Sequence, residues 1–265
     1  MLTKPPYTYG MKKALKVGFL IQKTTPISRI KKKDSDFDEN PTIYDSARYF
    51  LVHNSGSDRR VLFGSQDDFD RFEGYLYILN AIDGPRASNV FASPHKENVF
   101  STARGEKLVA IGAYSLMPKG FFILLRPLVH DGVGRFMQKL QTAYTMYFNK
   151  KYQRIGRLFH SAYRSEETES RNQLSSIIAF VHLSPASLFD ENWQEANLSE
   201  LQTLAKQAIA YRYSSVAEYA SKKFVITSPS EFPKFLLKMH TPDANMRSWG
   251  KYQLKEKILR LMGGE

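Results

Sequence analysis

The side chains that most often carry chemistry in proteins are few and scattered in this sequence. Cysteine is absent, which excludes a disulfide framework, a thiolate metal site and a zinc finger. There is no HExxH motif and no phosphate-cradling glycine loop. We therefore expect no metal or other cofactor and interpret each histidine as a surface or structural residue. The six histidines are widely separated, without metal-ligand spacing between any two: His53, His95, His130, His160, His182 and His240.

Positive charge is the clearest chemical signal in the chain. There are 38 lysines and arginines against 26 aspartates and glutamates among 265 residues, a formal net charge of +12. A protein with this balance is attracted to polyanions, and nucleic acid is the commonest polyanion inside cells. Because a solvated basic surface would have the same net charge, the distribution of the charge along the chain has to be considered.

The first basic group lies at the N-terminus. Residues 1–33 contain nine lysines and arginines and no acidic residue, and four acidic residues follow within positions 34–39. We expect residues 1–45 to form a basic N-terminal extension. Two interpretations stay open: an arm that binds phosphates, or a flexible terminus of the kind that many domains have.

The second basic group follows a helical pattern. Apolar residues recur at helical spacing from Val133 to Phe148, and basic side chains lie on or beyond the opposite face. Tyr147, Phe148 and Tyr152 could stack on bases. The alternative, equally open, is a solvated basic face over a packed aromatic stripe. The predicted phosphate contacts come from seven residues: Arg135, Lys139, Lys150, Lys151, Arg154, Arg157 and Arg164.

Three segments that could position these residues have the composition of core strands. Residues 47–54 are rich in aromatic and β-branched side chains, and residues 108–117 and 120–126 are almost continuously apolar. The proline and lysine between the last two segments indicate a tight hairpin, which we expect at the centre of the sheet. Residues 158–163 are predicted as a short strand or extended segment.

Helical periodicity covers four segments. The first begins at Gln66, where three aspartates precede a stripe of aromatic and aliphatic residues, as is typical of an amphipathic helix with negative charge in its first turn. Residues 84–105 have no period and predict a long surface loop. The predicted helices are residues 66–79, 133–148, 174–181 and 198–208.

Neither of the two most apolar segments of the chain has the length of an uncharged membrane span. Residues 14–21 and 108–125 are each interrupted by a lysine, whereas a span needs about 20 predominantly apolar residues. No small-residue cleavage site follows a proper apolar stretch at the N-terminus. We expect a soluble, cytoplasmic protein without a membrane partner.

A set of motifs in a fixed order carries a family resemblance. Residues 113–125 read AYSLMPKGFFILL and resemble AYxLMPNHFHLLL, the central signature of the REP-associated tyrosine transposases, a branch of the HUH single-strand nucleases. The ordered run covers about residues 46–220, and such an order is hard to obtain by chance. Further similar segments are residues 52–62, 67–72, 136–149, 156–160 (GRLFH), 180–185 (FVHLSP) and 213–219 (YSSVAEY).

The resemblance implies a fold and a domain organisation. It implies an α+β, ferredoxin-like domain with a central antiparallel sheet over residues 46–220, which agrees with the order of strands and helices predicted above. Residues 1–45 would precede this domain, and residues 221–265 would form a helical C-terminal extension. The basic, amphipathic stretch at residues 252–262 in that extension carries no recognisable chemistry.

The resemblance also implies a reaction whose residues are missing here. In that family a tyrosine attacks a DNA phosphodiester while a histidine-bound Mg²⁺ or Mn²⁺ polarises the phosphate. The two histidine positions correspond to Gly120 and Phe122, the nucleophile to Phe180 and a third metal ligand to Ser184. None of these four side chains is suited to the corresponding role. The resemblance therefore implies a degenerate member of the family without catalytic or metal-binding residues.

These observations lead to one preferred function and two alternatives. We predict a nucleic-acid-binding protein derived from a single-tyrosine transposase, with hairpin or single-stranded DNA as its partner and no cleavage of that DNA. The first alternative is an active transposase with a displaced catalytic set, in which Tyr152 or Tyr163 would serve as the nucleophile. The second is a protein-interaction scaffold whose basic surface is incidental.

Overall fold

The computed structural model describes residues 48–92, 99–168 and 171–250. The predicted basic extension, His95 and the amphipathic stretch at residues 252–262 lie outside these ranges. The strands are β1 (Tyr49–Ser55), β2 (Val109–Met117), β3 (Gly120–Pro127) and β4 (Arg164–Thr168). The α-helices are α1 (Gln66–Ile78), α2 (Ala87–Ala92), α3 (Gly132–Lys151), α4 (Arg171–Leu183), α5 (Leu198–Ile209) and α6 (Val216–Ser221). Short 3₁₀ turns lie at Ser57–Arg59, Val99–Ser101, Ser184–Leu188, Trp193–Glu195, Pro229–Glu231 and Lys234–Lys238.

The four strands form one antiparallel sheet with the order β2-β3-β1-β4. Helix α1 lies between β1 and β2 in sequence, and α3 lies between β3 and β4. This βαββαβ order with β1 and β3 at the centre is the ferredoxin-like arrangement. The predicted α+β class and the interior position of the strand that begins at Gly120 are confirmed.

One face of the sheet packs against α1 and α3. Helix α1 begins with a capping box, in which Ser65 and Asp68 satisfy each other's backbone N–H groups. Phe72 and Leu76 from α1 and Phe136 and Tyr144 from α3 are completely or almost completely buried against this face. The aromatic periodicity seen in the sequence is therefore the packing surface of these two helices.

The opposite face packs against α4, α5 and residues beyond position 220. Leu51, Leu124 and Phe122 from the sheet share a buried cluster with Ile178 and Phe180 from α4. The cluster also contains Phe232, Leu236, Met239 and Trp249. Residues predicted from sequence as a C-terminal extension thus contribute large side chains to the core.

A β-bulge at Gly112 lets this second layer approach the sheet closely. The register between β2 and β3 shifts between Ile111 and Ala113. A Cβ atom added at Gly112 would lie 2.6 Å from the Phe232 ring, and Tyr219 donates a hydrogen bond to the Gly112 carbonyl. Only glycine allows this close contact between strand and ring.

Three sequence predictions were wrong in detail. The hairpin of β2 and β3 was expected at the centre of the sheet, but β2 is an edge strand. The fourth strand is Arg164–Thr168, after the predicted residues 158–163, because it is a short, polar edge strand without an apolar pattern. Leu158 and Phe159 are buried, and within residues 158–163 Phe159 forms an isolated bridge, to Gly56. Residues 84–105, predicted as a loop, contain helix α2 and the 3₁₀ turn at Val99–Ser101. Among the described residues, no helix combines the length and apolarity needed to cross a bilayer.

Candidate nucleic-acid interface

The four positions that the resemblance assigns to catalysis lie close together and are buried. Gly120 and Phe122 are two residues apart on β3 and therefore belong to one sheet face. The Phe122 ring lies 4.9 Å from that of Phe180 on α4, centroid to centroid and edge to face. Phe180 in turn lies about equally far from Trp193 and Trp249, at 6.2 and 6.0 Å. These positions form part of a packed aromatic cluster.

Ser184 is held by hydrogen bonds within the protein. Its Oγ donates to the Val181 carbonyl at 2.9 Å and lies 2.7 Å from the Ser115 Oγ. Since the single Ser184 proton is used by Val181, the Ser115 hydroxyl is the donor in the second bond. Ser184 is 3% exposed. Its hydroxyl therefore completes a buried polar pair.

Two titratable side chains lie beside the aromatic cluster on the same sheet face. His53 pairs with Phe122 across the strands, and its Nε2 is 3.9 Å from a carboxylate oxygen of Glu166. Burial, together with the charge of Arg164, lowers the pKa of His53 to about 4. Burial raises the pKa of Glu166, and the charge of Arg164 opposes that rise.

The residues of this region do not fit a divalent metal. Glycine and phenylalanine offer no lone pair, and the Ser184 hydroxyl is engaged. Across the ranges that the structure describes, no group of three or more histidine, cysteine, aspartate or glutamate side chains is suited to hold a metal ion. The geometry at these four positions provides packing for this face of the sheet.

A different region, at the end of the sheet where β1 finishes, brings basic segments together. The Gly56 N–H donates to the Lys119 carbonyl at 3.1 Å, and the Leu62 N–H donates to the Pro118 carbonyl at 2.7 Å. The Ser57 N–H donates to the Leu158 carbonyl at 2.9 Å. These bonds join the segments 56–61, 118–119 and 150–164, which we call the basic rim.

The basic rim carries a large excess of positive charge. Asp58 is the one acidic residue within its three segments, and His160 adds an exposed imidazole. At least two of its cationic side chains, Lys150 and Arg157, are exposed and form no ion pair with any residue that the structure describes. The eight lysines and arginines are Arg59, Arg60, Lys119, Lys150, Lys151, Arg154, Arg157 and Arg164.

The charge of Lys151, one member of the rim, is neutralised by a buried carboxylate. Its Nζ lies 2.7 Å from the carboxylate of Asp68, which is completely buried. The same carboxylate accepts hydrogen bonds from the hydroxyl groups of Tyr147 and Tyr152, at 2.9 and 2.6 Å, and from the Gly64 N–H at 2.9 Å. This cluster joins the start of α1 to the end of α3, and it fixes the two tyrosines that were predicted to stack on bases.

The pKa values in this cluster reflect the shared carboxylate. Burial raises the pKa of Asp68, but hydrogen bonds from Lys151, Tyr152 and Tyr147 outweigh it, so that the net shift is downward. The pKa of Tyr147 rises to about 12, mainly through burial. The pKa of Tyr152 is also raised, by burial and by its hydrogen bond to Asp68. Both phenols are therefore protonated at neutral pH, which is unfavourable for a nucleophile.

The remaining predicted contacts divide between the rim and the far end of α3. Lys139 donates hydrogen bonds to the carbonyls of Ala81 and Ile82 at 2.7 and 3.1 Å, so its ammonium group has partners in the fold. Arg135 is half-buried in the first turn of α3, about 22 Å along the helix axis from Lys150. Phe148, predicted to stack on bases, is 6% exposed.

Five of the seven predicted basic residues lie at the rim, and one of them, Lys151, is bound by Asp68. Lys150, Arg157 and Arg164 are exposed, and Arg154 is half-buried with its guanidinium 5.9 Å from the centroid of the Phe148 ring. Three other cations of the rim were not predicted from the sequence as phosphate contacts: Arg59, Arg60 and Lys119. The antiparallel topology was the available signal, because it places the end of β1, the β2–β3 turn and the start of β4 at one edge.

No family model and no curated protein matches this chain. Among solved structures, the chain is similar to one described as "Structure of the REP associates tyrosine transposase bound to a REP hairpin". The two share 10% sequence identity and superpose with a TM-score of 0.40, over 72% of this chain and 91% of that chain. A similarity this distant assigns no family, so the transposase ancestry inferred from the sequence motifs remains a proposal.

Proposed function

We propose that this chain binds DNA, in hairpin or single-stranded form, through the basic rim and does not cleave it. The observation that carries the proposal is the joining of three basic segments at one end of the sheet by backbone hydrogen bonds. We further propose that the fold descends from a REP-associated tyrosine transposase, on the ordered sequence motifs described above.

The charge of the rim supports a polyanionic partner. Its three segments contain eight lysines and arginines and a single acidic residue, and Lys151 has a buried carboxylate partner in Asp68. Cations at such spacing neutralise phosphates and release condensed counterions, which provides most of the affinity of sequence-independent DNA binding. Contacts between cationic side chains and DNA phosphates fix the position of the DNA without reading its sequence.

The absence of cleavage is proposed from the chemistry of the four ancestral positions. Phe122 and Phe180 pack against each other, and the Ser184 hydroxyl is engaged with Val181 and Ser115. A phenyl ring cannot attack phosphorus, and no donor set in this region fits a metal. Tyr152, an alternative nucleophile, donates its hydroxyl proton to Asp68.

The binding part of the proposal is tested by measuring affinity for a DNA hairpin over a range of salt concentrations. The logarithm of the affinity is expected to fall linearly with the logarithm of the salt concentration, with a slope of roughly −0.7 to −0.9 per phosphate neutralised. The triple variant Lys119→Gln, Lys150→Gln, Arg157→Gln should bind more weakly, and the magnitude of its slope should decrease by about 2 to 3.

A matched triple variant controls for net charge. Lys206→Gln, Lys223→Gln and Lys238→Gln remove the same charge from exposed positions outside the rim. Equal loss of affinity in both triple variants would show that the whole positive surface acts nonspecifically. An unchanged affinity in the rim variant would refute the proposed interface, and preference for RNA hairpins over DNA would refute the proposed ligand.

The cleavage part is tested with the same hairpin in the presence of Mg²⁺ or Mn²⁺. Denaturing electrophoresis should show neither shortened DNA nor a protein–DNA adduct. A covalent phosphotyrosine adduct on any residue would overturn this part and favour the displaced catalytic set, while leaving the binding interface intact.

A further inference from the structure

Ile155 is the most solvent-exposed large apolar side chain at the basic rim. It is 93% exposed, whereas Val61 and Tyr152, also at the rim, are 39% and 38% exposed. Its sequence neighbours on either side are Arg154 and Gly156, and Arg157 follows. A single exposed aliphatic residue is common on protein surfaces. The backbone around Ile155 is what makes this residue distinctive.

The loop before Ile155 is fixed to the end of α3. Gln153 has a left-handed conformation with φ of 51°, and the Arg154 N–H donates to the Asn149 carbonyl at 2.8 Å. This is the long hydrogen bond of a Schellman motif, with glutamine in the position that glycine usually occupies. The Asn149 side chain also donates to the Gly156 carbonyl at 2.9 Å, so that it spans the loop.

The loop after Ile155 is fixed to the end of β1. Gly156 has φ of 91°, a conformation that favours glycine, although a Cβ added there would meet nothing within 4 Å. The Ser57 N–H then donates to the Leu158 carbonyl at 2.9 Å, and the His160 N–H donates to the Ser55 carbonyl at 2.9 Å. Ile155 is therefore held at the apex of a loop that is hydrogen-bonded on both sides.

An apolar side chain on a fixed apex between cationic residues suits one kind of ligand surface. Arginines on either side would bind phosphates, while the aliphatic side chain between them would meet the faces of bases. Proteins that bend or unstack nucleic acid insert isoleucine, leucine or methionine between base steps, and the cost of unstacking is lowest where pairing is already interrupted.

We propose that Ile155 inserts into an interrupted base step of a DNA hairpin, at the junction between stem and loop, and so makes the protein prefer hairpins to linear single strands. This inference rests on the proposed function, since it needs DNA at the basic rim. Arg154 and Arg157 position the backbone on either side of the step, and the fixed loop keeps the apex in place before binding.

The test compares wild type with Ile155→Ala on a hairpin and on a linear single strand of the same composition. Both DNAs carry 2-aminopurine, whose fluorescence rises on unstacking. The label lies at the stem–loop junction of the hairpin and at a matched position of the linear strand. We expect Ile155→Ala to lose about tenfold in affinity for the hairpin, to change little on the linear strand and to lose the rise in fluorescence. Ile155→Leu should retain all three properties, because it preserves an aliphatic wedge.

Leu198→Ala serves as the matched control, since Leu198 is 70% exposed at the start of α5 and outside the rim. It should leave the binding of both DNAs unchanged. Equal weakening of both DNAs by Ile155→Ala, or an unaltered hairpin preference, would overturn the wedge. The proposed function would survive if the rim triple variant still lost affinity in that case, whereas wild-type protein that binds neither DNA would overturn both.

Discussion

Replacement of Asp68 by alanine is expected to destabilise the fold, because this buried carboxylate joins α1 to α3. The carboxylate is completely buried and accepts hydrogen bonds from the Lys151 ammonium, two tyrosine hydroxyls and the N–H groups of Gly64 and Ser65. Alanine would leave the Lys151 ammonium without its buried partner, with the exposed Asp67 carboxylate still nearby. It would also remove half of the capping box of α1.

The magnitude follows from two losses, since the Lys151 side chain reaches solvent and keeps Asp67 nearby. Removing the helix cap costs about 1 kcal/mol, and leaving buried donors without their acceptor costs about 1–3 kcal/mol. For a domain of 150–250 residues each kcal/mol shifts Tm by about 2–4 °C, so the variant should melt roughly 4–16 °C below wild type. Urea unfolding should give a lower midpoint with an unchanged slope, because the surface exposed on unfolding is the same.

Asp67 provides the control for this prediction. It precedes Asp68 in the same helical turn, is 84% exposed and lies 3.7 Å from the Lys151 ammonium. Asp67→Ala should change stability by no more than about 0.5 kcal/mol, as exposed ion pairs contribute little. If Asp68→Ala cost as little as Asp67→Ala, the buried network would not be what joins α1 to α3.

The pH dependence of the wild type checks the same reasoning. The pKa of Asp68 is lowered below its ordinary value of 3.8, so the folded state binds this proton less readily than the unfolded state. The stabilisation is complete above about pH 4 and is lost as the pH falls through the folded pKa. The difference in stability between wild type and Asp68→Ala should therefore shrink on acidification below pH 4.

Two further predictions concern the opposite sheet face. Phe180→Ala should cost about 3–5 kcal/mol by urea unfolding because it leaves a cavity in the aromatic cluster, and Phe180→Tyr should cost about 1–3 kcal/mol through an unpaired hydroxyl without producing a DNA adduct. Burial lowers the pKa values of His53 and His182 to about 4, so both are neutral in the fold and must gain a proton on unfolding below pH 6.5. The free energy of unfolding should fall between pH 6.5 and pH 4, by on the order of 3 kcal/mol per histidine. His182→Gln should make this pH dependence less steep. A pH dependence as steep as that of wild type would contradict a buried, neutral His182.

Local sequence patterns were sufficient to predict most of the elements. The apolar runs that became β1, β2 and β3 and the periodic stripes of α1, α3, α4 and α5 each encode the burial of one face, which depends mainly on neighbours within the same segment. Strands that are apolar on both faces led to the prediction that the whole hairpin lies at the sheet centre, but only β3 does. Strand β2 is an edge strand, and residues 213, 215 and 228 form hydrogen bonds along its outer side. The edge strand β4 was not predicted at its observed position because its mostly exposed, polar sequence carries no such pattern.

Tertiary structure alone decided which charges could act together. Lys139 and Lys151 resembled their neighbours in the sequence, but carbonyl groups near position 81 and the buried Asp68 carboxylate bind their ammonium groups. Lys119, far from α3 in sequence, joined the rim through the β2–β3 turn. The sequence of one segment shows which charges it carries but not which residues bind them. The partner of each charge comes from residues tens of positions away, and those contacts form only once the sheet has formed.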